Sequence, residues 1–167
     1  TGQAQGSVWI YPPVSALKLR DRVLTAKQEG LFSRFDWSVP PVDLEVSWKP
    51  LESCDKKRYE VTLPHNALAE CHDVYLNINP ICDYMTASVE GRLIGDWYYL
   101  GKPYRPSVRH WGKAVLGQPV LLELIPLTGD TPCFIEERFR PDFAKKSAYA
   151  EIRDIKAVPL YRISLQQ

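Results

Sequence analysis

The sequence predicts an all-β protein, an antiparallel β-sandwich of jelly-roll type with roughly nine to eleven short strands. Three observations predict it. Fourteen prolines, nine tyrosines and five tryptophans among 167 residues favour extended segments over helices. Apolar and polar residues alternate with period two in one segment after another, as in strands with a single buried face. Proline and glycine punctuate those segments at short intervals.

The elements follow in order. Residues 7–11 are a short apolar run stopped by Pro12-Pro13. Residues 14–30 read as strand, since Leu17-Lys18-Leu19 alternates, although Val14, Leu17 and Leu24 also fit a weak helical stripe. Gln28-Glu29-Gly30 is a turn. Leu31, Ser33, Phe35 and Trp37 share one face of a strand that Pro40-Pro41 terminates. Leu44, Val46 and Trp48 repeat the pattern up to Pro50. A charged loop over 52–58 leads to a strand carrying Tyr59, Val61 and Leu63, and residues 64–68 read as one helical turn.

The most informative stretch is 74–111. Val74, Leu76 and Ile78 alternate with Tyr75, Asn77 and Asn79 until Pro80 breaks the pattern. Met85, Ala87 and Val89 alternate with Tyr84, Thr86 and Ser88. Glu90-Gly91-Arg92 supplies a turn, because glycine takes the positive φ a tight hairpin needs. The return strand, 93–100, carries Trp97, Tyr98 and Tyr99, and it places Trp97 and Tyr99 on the face of Leu93, where burial is expected. Gly101-Lys102-Pro103 closes it. Residues 112–119 form a loop, and 120–127 are apolar on both faces apart from Glu123, as in a central strand. Residues 128–132 are turn chemistry, 136–146 are charged and irregular, and 148–158 with 161–165 finish the sheet.

Size and charge bound the function. The chain fits one module over 1–167, with N-terminal strands in 1–50, and buries about two thirds of its unfolded surface. Twenty-one basic residues oppose 20 acids, for a net charge of +1, so no basic field attracts nucleic acid. No apolar run approaches the roughly 20 residues of a membrane helix. The start, TGQAQGSVWIYPP, lacks the basic and apolar regions of a secretory signal, and location stays open. Cys54, Cys71, Cys82 and Cys133 lack C-x-x-C spacing; they read as thiols, with three disulfide pairings open if they oxidise. His65, Cys71 and His72 suit no closed zinc signature. No cofactor is called for, while a structural calcium ion stays open.

Residues 90–104, EGRLIGDWYYLGKPY, carry a resemblance. With Asp83 as the acid of a preceding step, Gly91-Arg92-Leu93 as a turn, Asp96 to Tyr104 as an aromatic segment and Leu124-Ile125-Pro126-Leu127 as a late strand, residues 59–165 resemble the C-terminal β-sandwich of bacterial proteins in glycoside hydrolase family 35, the β-galactosidase-like enzymes. Cys82 stands where glycine is usual, Leu100 where a polar residue is common, and Tyr104 where tryptophan is usual. The resemblance implies a galactose-binding-like jelly roll belonging to a sugar-cleaving parent.

The chemistry of that parent does not fit within this chain. Retaining glycosidases of the family place two glutamates on a (β/α)₈ barrel, which takes about 250 residues. Glu136-Glu137, the adjacent acids, point to opposite sides of an extended chain and suit ion pairs with Arg138 or Arg140. No nucleophile elbow, phosphate loop or His-Glu-x-x-His occurs. The expectation is a non-catalytic accessory module, either carbohydrate-binding or a structural module packed on a catalytic barrel. The expected partners are a galactose-containing or plant glycan and the catalytic domain of the same parent, with no nucleic acid and no membrane. A pyranose stacks its C–H face on an exposed ring while its hydroxyls meet carboxylates, amides or guanidinium groups. Asp96, Tyr98, Tyr104, Arg109 and Trp111 offer both kinds of group. Tyr104, Arg109 and Trp111 lie in a loop-rich stretch and are expected to be reachable, although a loop aromatic equally serves as a plug sealing a sandwich edge or a wedge against a neighbouring domain.

Overall fold

The computed structural model describes residues 4–19, 22–52 and 56–166. Cys54 lies outside them. The protein is all-β: fifteen strands occur among the described residues, every ladder between them is antiparallel, and a four-residue segment is the longest helix. Contacts divide the chain into two compact units, Thr1–Asp43 with Tyr161–Gln167, and Leu44–Leu160.

The first unit holds β1 (Ala4–Ile10), β2 (Ala16–Leu19), β3 (Arg22–Thr25), β4 (Lys27–Glu29) and β5 (Phe32–Val39). β5 lies between β1 and β4, and β2 lies between β3 and the two-residue strand Leu165–Gln166. Within 14–30 the strand reading holds for β2, β3 and β4, but the turn falls late, at Gly30-Leu31, and Gln28 and Glu29 belong to β4. Ser33, Phe35 and Val39 are buried on one face of β5, with Trp37 half-buried beside them. The other face carries Trp9, whose indole donates to Glu29 (2.8 Å). There Asp36 accepts from Ser7, Lys27 and Arg34. Those three donors hold the Asp36 carboxyl far below the usual carboxylate range.

The second unit is an antiparallel sandwich. Its larger layer joins β6 (Ser47–Leu51), β7 (Lys57–Thr62), β9 (Tyr84–Val89), β10 (Arg92–Tyr98) and β11 (Pro119–Ile125) in the order β10-β9-β11-β7-β6. The smaller layer pairs β8 (Asp73–Ile81) with β14 (Glu151–Leu160), and Tyr104 and Ser107 add isolated bridges to the free side of β8. Val61, Met85, Ala87, Val89, Val120, Leu122 and Leu124 from the first layer are buried, as are Val74, Leu76, Ile78, Ile152 and Ile155 from the second. Alternation puts each set on one face of its sheet, and burying those faces drives the layers together. A short hairpin, β12 (Leu127–Thr128) with β13 (Ala148–Tyr149), flanks an irregular segment.

Glu90-Gly91 is the expected tight turn. Both residues take positive φ, 50° and 77°, and Val89 pairs with Arg92. Several expectations fail locally. Neither Pro50 nor Pro80 ends its strand. Pro50 is accommodated because β6 is an edge strand, and Pro80 sits opposite Ile152 where a bulge already interrupts the ladder. The strand expected to begin near Leu44 is regular only from Ser47. Residues 64–69 form two successive turns, closed by Ala67 N–H to Pro64 and Ala69 N–H to Asn66, rather than a helical turn. The final strand, Leu165–Gln166, pairs with β2.

Candidate functional site

The hairpin of β9 and β10 sorts its aromatic residues onto two faces, and a bulge decides which goes where. Between Leu93 and Gly95 the register slips by one residue. Leu93 is therefore turned outward and is 59% exposed, whereas Trp97 and Tyr99 point the other way and are partly covered. The placement of Leu93 with Trp97 and Tyr99 is overturned, because an extra residue inverts every side chain beyond it.

On the outer face, Tyr98 is 62% exposed and lies opposite Tyr84. Their rings are 4.6 Å apart between centroids, tilted by 38°. Tyr84 in turn lies opposite Ile125 on β11. The adjoining row runs Asp96, Thr86, Glu123, Arg58 across four strands. The Tyr84 hydroxyl donates to Asp96 at 3.2 Å. Partial desolvation and the neighbouring Asp96 charge raise its pKa, so it is a neutral donor at physiological pH. Glu123 accepts from Lys56 and Arg58, and the Lys56 ammonium foremost holds its carboxyl below the ordinary range. The face thus offers an exposed Tyr98 ring stacked at a tilt on the half-buried Tyr84, bordered by an exposed carboxylate and a hydroxyl.

On the inner side, Gly95 lets the two layers approach closely. A methyl group there would lie 2.6 Å from the Tyr104 hydroxyl and 3.1 Å from the Trp111 indole nitrogen. Trp97, Tyr104 and Trp111 form a chain of tilted rings at 6.2 and 6.4 Å. Trp111, expected in a reachable loop, is buried, and Tyr104 is half-buried. Burial raises the Tyr104 phenol against the opposing pull of the Trp111 indole. The reason is local: residues 108–111 form a helical turn, α1 (Val108–Trp111), whose apolar side seats Val108 and Trp111 in the core.

Asp73 anchors that turn. It is 6% exposed, accepts from the Ser107 hydroxyl (2.6 Å) and the backbone N–H of Arg109 (3.0 Å), and bonds its neighbour Val74 N–H (2.7 Å). Burial works to raise its pKa, but these donors outweigh it and hold the carboxyl below the usual range. Ser107 caps His110 N–H, and the exposed Arg109 donates from Nε to the His72 carbonyl at 2.7 Å.

The five expected site residues therefore divide. Asp96 and Tyr98 share the outer face, Tyr104 and Trp111 meet beneath β10, and Arg109 stands apart at the end of α1. Tyr84 was missed as a site residue. Its signal was the hairpin itself: counting back from Glu90-Gly91 sets Tyr84 near Tyr98, but the pairing is right only with the bulge included. Glu136 pairs with Arg138 at 2.7 Å, as expected. Cys71 and Cys82 are buried thiols and Cys133 is exposed. No disulfide and no metal-binding cluster occurs among the described residues.

Fold and site together define an all-β antiparallel sandwich protein with an aromatic and acidic outer sheet face. No family model, no curated protein and no solved structure matches the chain.

Proposed function

We propose that the chain is a non-catalytic accessory module of a glycoside hydrolase and binds carbohydrate on the outer face of its five-stranded sheet. The observation that carries this reading is the exposed Tyr98 ring, backed by Tyr84, with Asp96 beside it. An exposed ring takes the C–H face of a pyranose, and a carboxylate next to it accepts from two sugar hydroxyls. The likeness of 59–165 to β-galactosidase-like proteins points to galactose-containing or plant glycans as the first ligands to try. The second reading, a structural module that packs on a catalytic barrel, is favoured by Phe134, which is 87% exposed and available to a neighbouring surface.

A glycan array followed by calorimetry tests the proposal. Binding in the millimolar to micromolar range is expected, about 4 to 8 kcal/mol. Tyr98→Ala and Asp96→Ala should each weaken it about tenfold or more, with the melting temperature changed little. Unaltered affinity in both variants, or turnover of a glycoside by the purified chain, would refute it.

A further inference from the structure

The smaller layer of the sandwich carries a separate depression on its outer face, of about 460 Å³, lined by Tyr75, Asn77, Arg105 and Val158. Strand register explains it. Tyr75 and Asn77 are alternate residues of β8 and so project on the same side, and Val158 lies opposite Tyr75 across the β14 ladder. On the other side of β8, Tyr104 pairs with Ile78 and Ser107 with Tyr75, which brings Arg105 beside Asn77. Arg105 donates from Nε to Asn77 Oδ1 at 2.8 Å.

That hydrogen bond has two effects. It fixes the plane of an exposed guanidinium, and it leaves the terminal nitrogen pair as an end-on fork, the geometry that grips a carboxylate with two parallel bonds. Among the described residues no carboxylate pairs with Arg105, although the neighbouring Lys156 is occupied by Asp154 at 2.7 Å. The lining thus holds one charge, positive and uncompensated. Around it are the half-open Tyr75 ring, 36% exposed, the apolar Val158, 50% exposed, and the Asn77 amide.

We infer that this depression is a second binding site, for an acidic saccharide: a hexuronate residue whose ring lies over Tyr75 and whose carboxylate meets Arg105. The charge complementarity selects the anion, and the tyrosine with its valine neighbour selects a carboxylate carried on a ring rather than a small free ion. The site does not depend on the outer face of the five-stranded sheet, and what sets it apart is its demand for a carboxylate on the sugar.

The test uses trigalacturonic acid and its methyl ester with the full chain. Calorimetry or NMR titration should show the acid binding at least tenfold more tightly than the ester, with affinity falling as salt rises. Arg105→Gln should abolish the preference for the acid. Arg105→Lys should retain part of it, since the charge stays but the fork is lost, and Tyr75→Ala should weaken acid and ester alike. Tyr98→Ala should leave the preference for the acid over the ester unchanged, which separates this site from the one proposed above. No binding of the acid at millimolar concentration, equal binding of acid and ester, or an unaltered preference in Arg105→Gln with native stability would each overturn the inference.

Discussion

Asp73→Asn probes how α1 is held against β8. The wild-type carboxylate accepts two bonds from beyond its own strand, from Ser107 Oγ and Arg109 N–H, and one from Val74 N–H. Bonds to a charged acceptor are worth about 1.5–3 kcal/mol each, against about 0.5–1.5 for neutral pairs. An asparagine keeps one acceptor oxygen and turns an NH₂ toward a donor. The loss over the two tertiary bonds is therefore about 2–4 kcal/mol, or roughly 8–16 °C in Tm at about 4 °C per kcal/mol for a domain of this size. The pH dependence has a definite sign. The folded-state pKa of Asp73 is depressed, so its contribution is fully present above the unfolded carboxylate value, near 4, and is lost as pH falls through the folded value. Thermal melts followed by circular dichroism at pH 7, 5 and 3 should show the full gap between wild type and variant at the two higher values and a narrowing gap at pH 3. A gap that stays constant down to pH 3, or one below 1 kcal/mol at pH 7, would refute the assignment of Asp73 as an ionised anchor.

Other outcomes follow from burial and close approach. Trp111→Ala empties a core position and should cost about 3–5 kcal/mol in denaturant unfolding, several times the effect of Tyr98→Ala at its exposed site. Gly95→Ala should cost about 1–3 kcal/mol, because its methyl group meets the Tyr104 hydroxyl; Tyr104→Phe in the same chain should recover part of the loss. At pH 8 the native protein should expose Cys133 to a thiol reagent, whereas Cys82, with burial pushing its pKa up to about 12, should react only on unfolding. Peptide mapping after brief labelling distinguishes the two.

Where one face of a strand is buried and its turn is local, the sequence was sufficient. Met85, Ala87 and Val89 could be read as inward because period-two alternation leaves a single choice, and Glu90-Gly91 announces the hairpin because glycine takes positive φ without steric cost. What could not be read depends on partners distant in sequence. Pro50 and Pro80 looked like strand ends, since a missing N–H matters only if a neighbour needs it, and neither an edge position nor a bulge is visible in composition. The Leu93–Gly95 bulge is equally silent: alternation alone separates Tyr98 from Trp97 and Tyr99, but it wrongly groups Leu93 with the latter two. Trp111 was misjudged because proline-rich surroundings suggest a loop, while the burial comes from a four-residue turn fastened by Asp73, 34 residues upstream of Ser107. The division of contacts at Asp43 and Leu160 brings together chain ends that no local pattern associates.

The position of β10 at the border of its sheet bears on how copies of this protein behave when crowded. A border strand displays unused amide and carbonyl groups that could recruit an identical strand from another molecule and begin a fibre. Here the kink beside Gly95 spoils the regular spacing such recruitment needs, and the charge of Asp96 repels its own image in a second copy. The irregularity that sorts the tyrosines thus also discourages edge-to-edge aggregation.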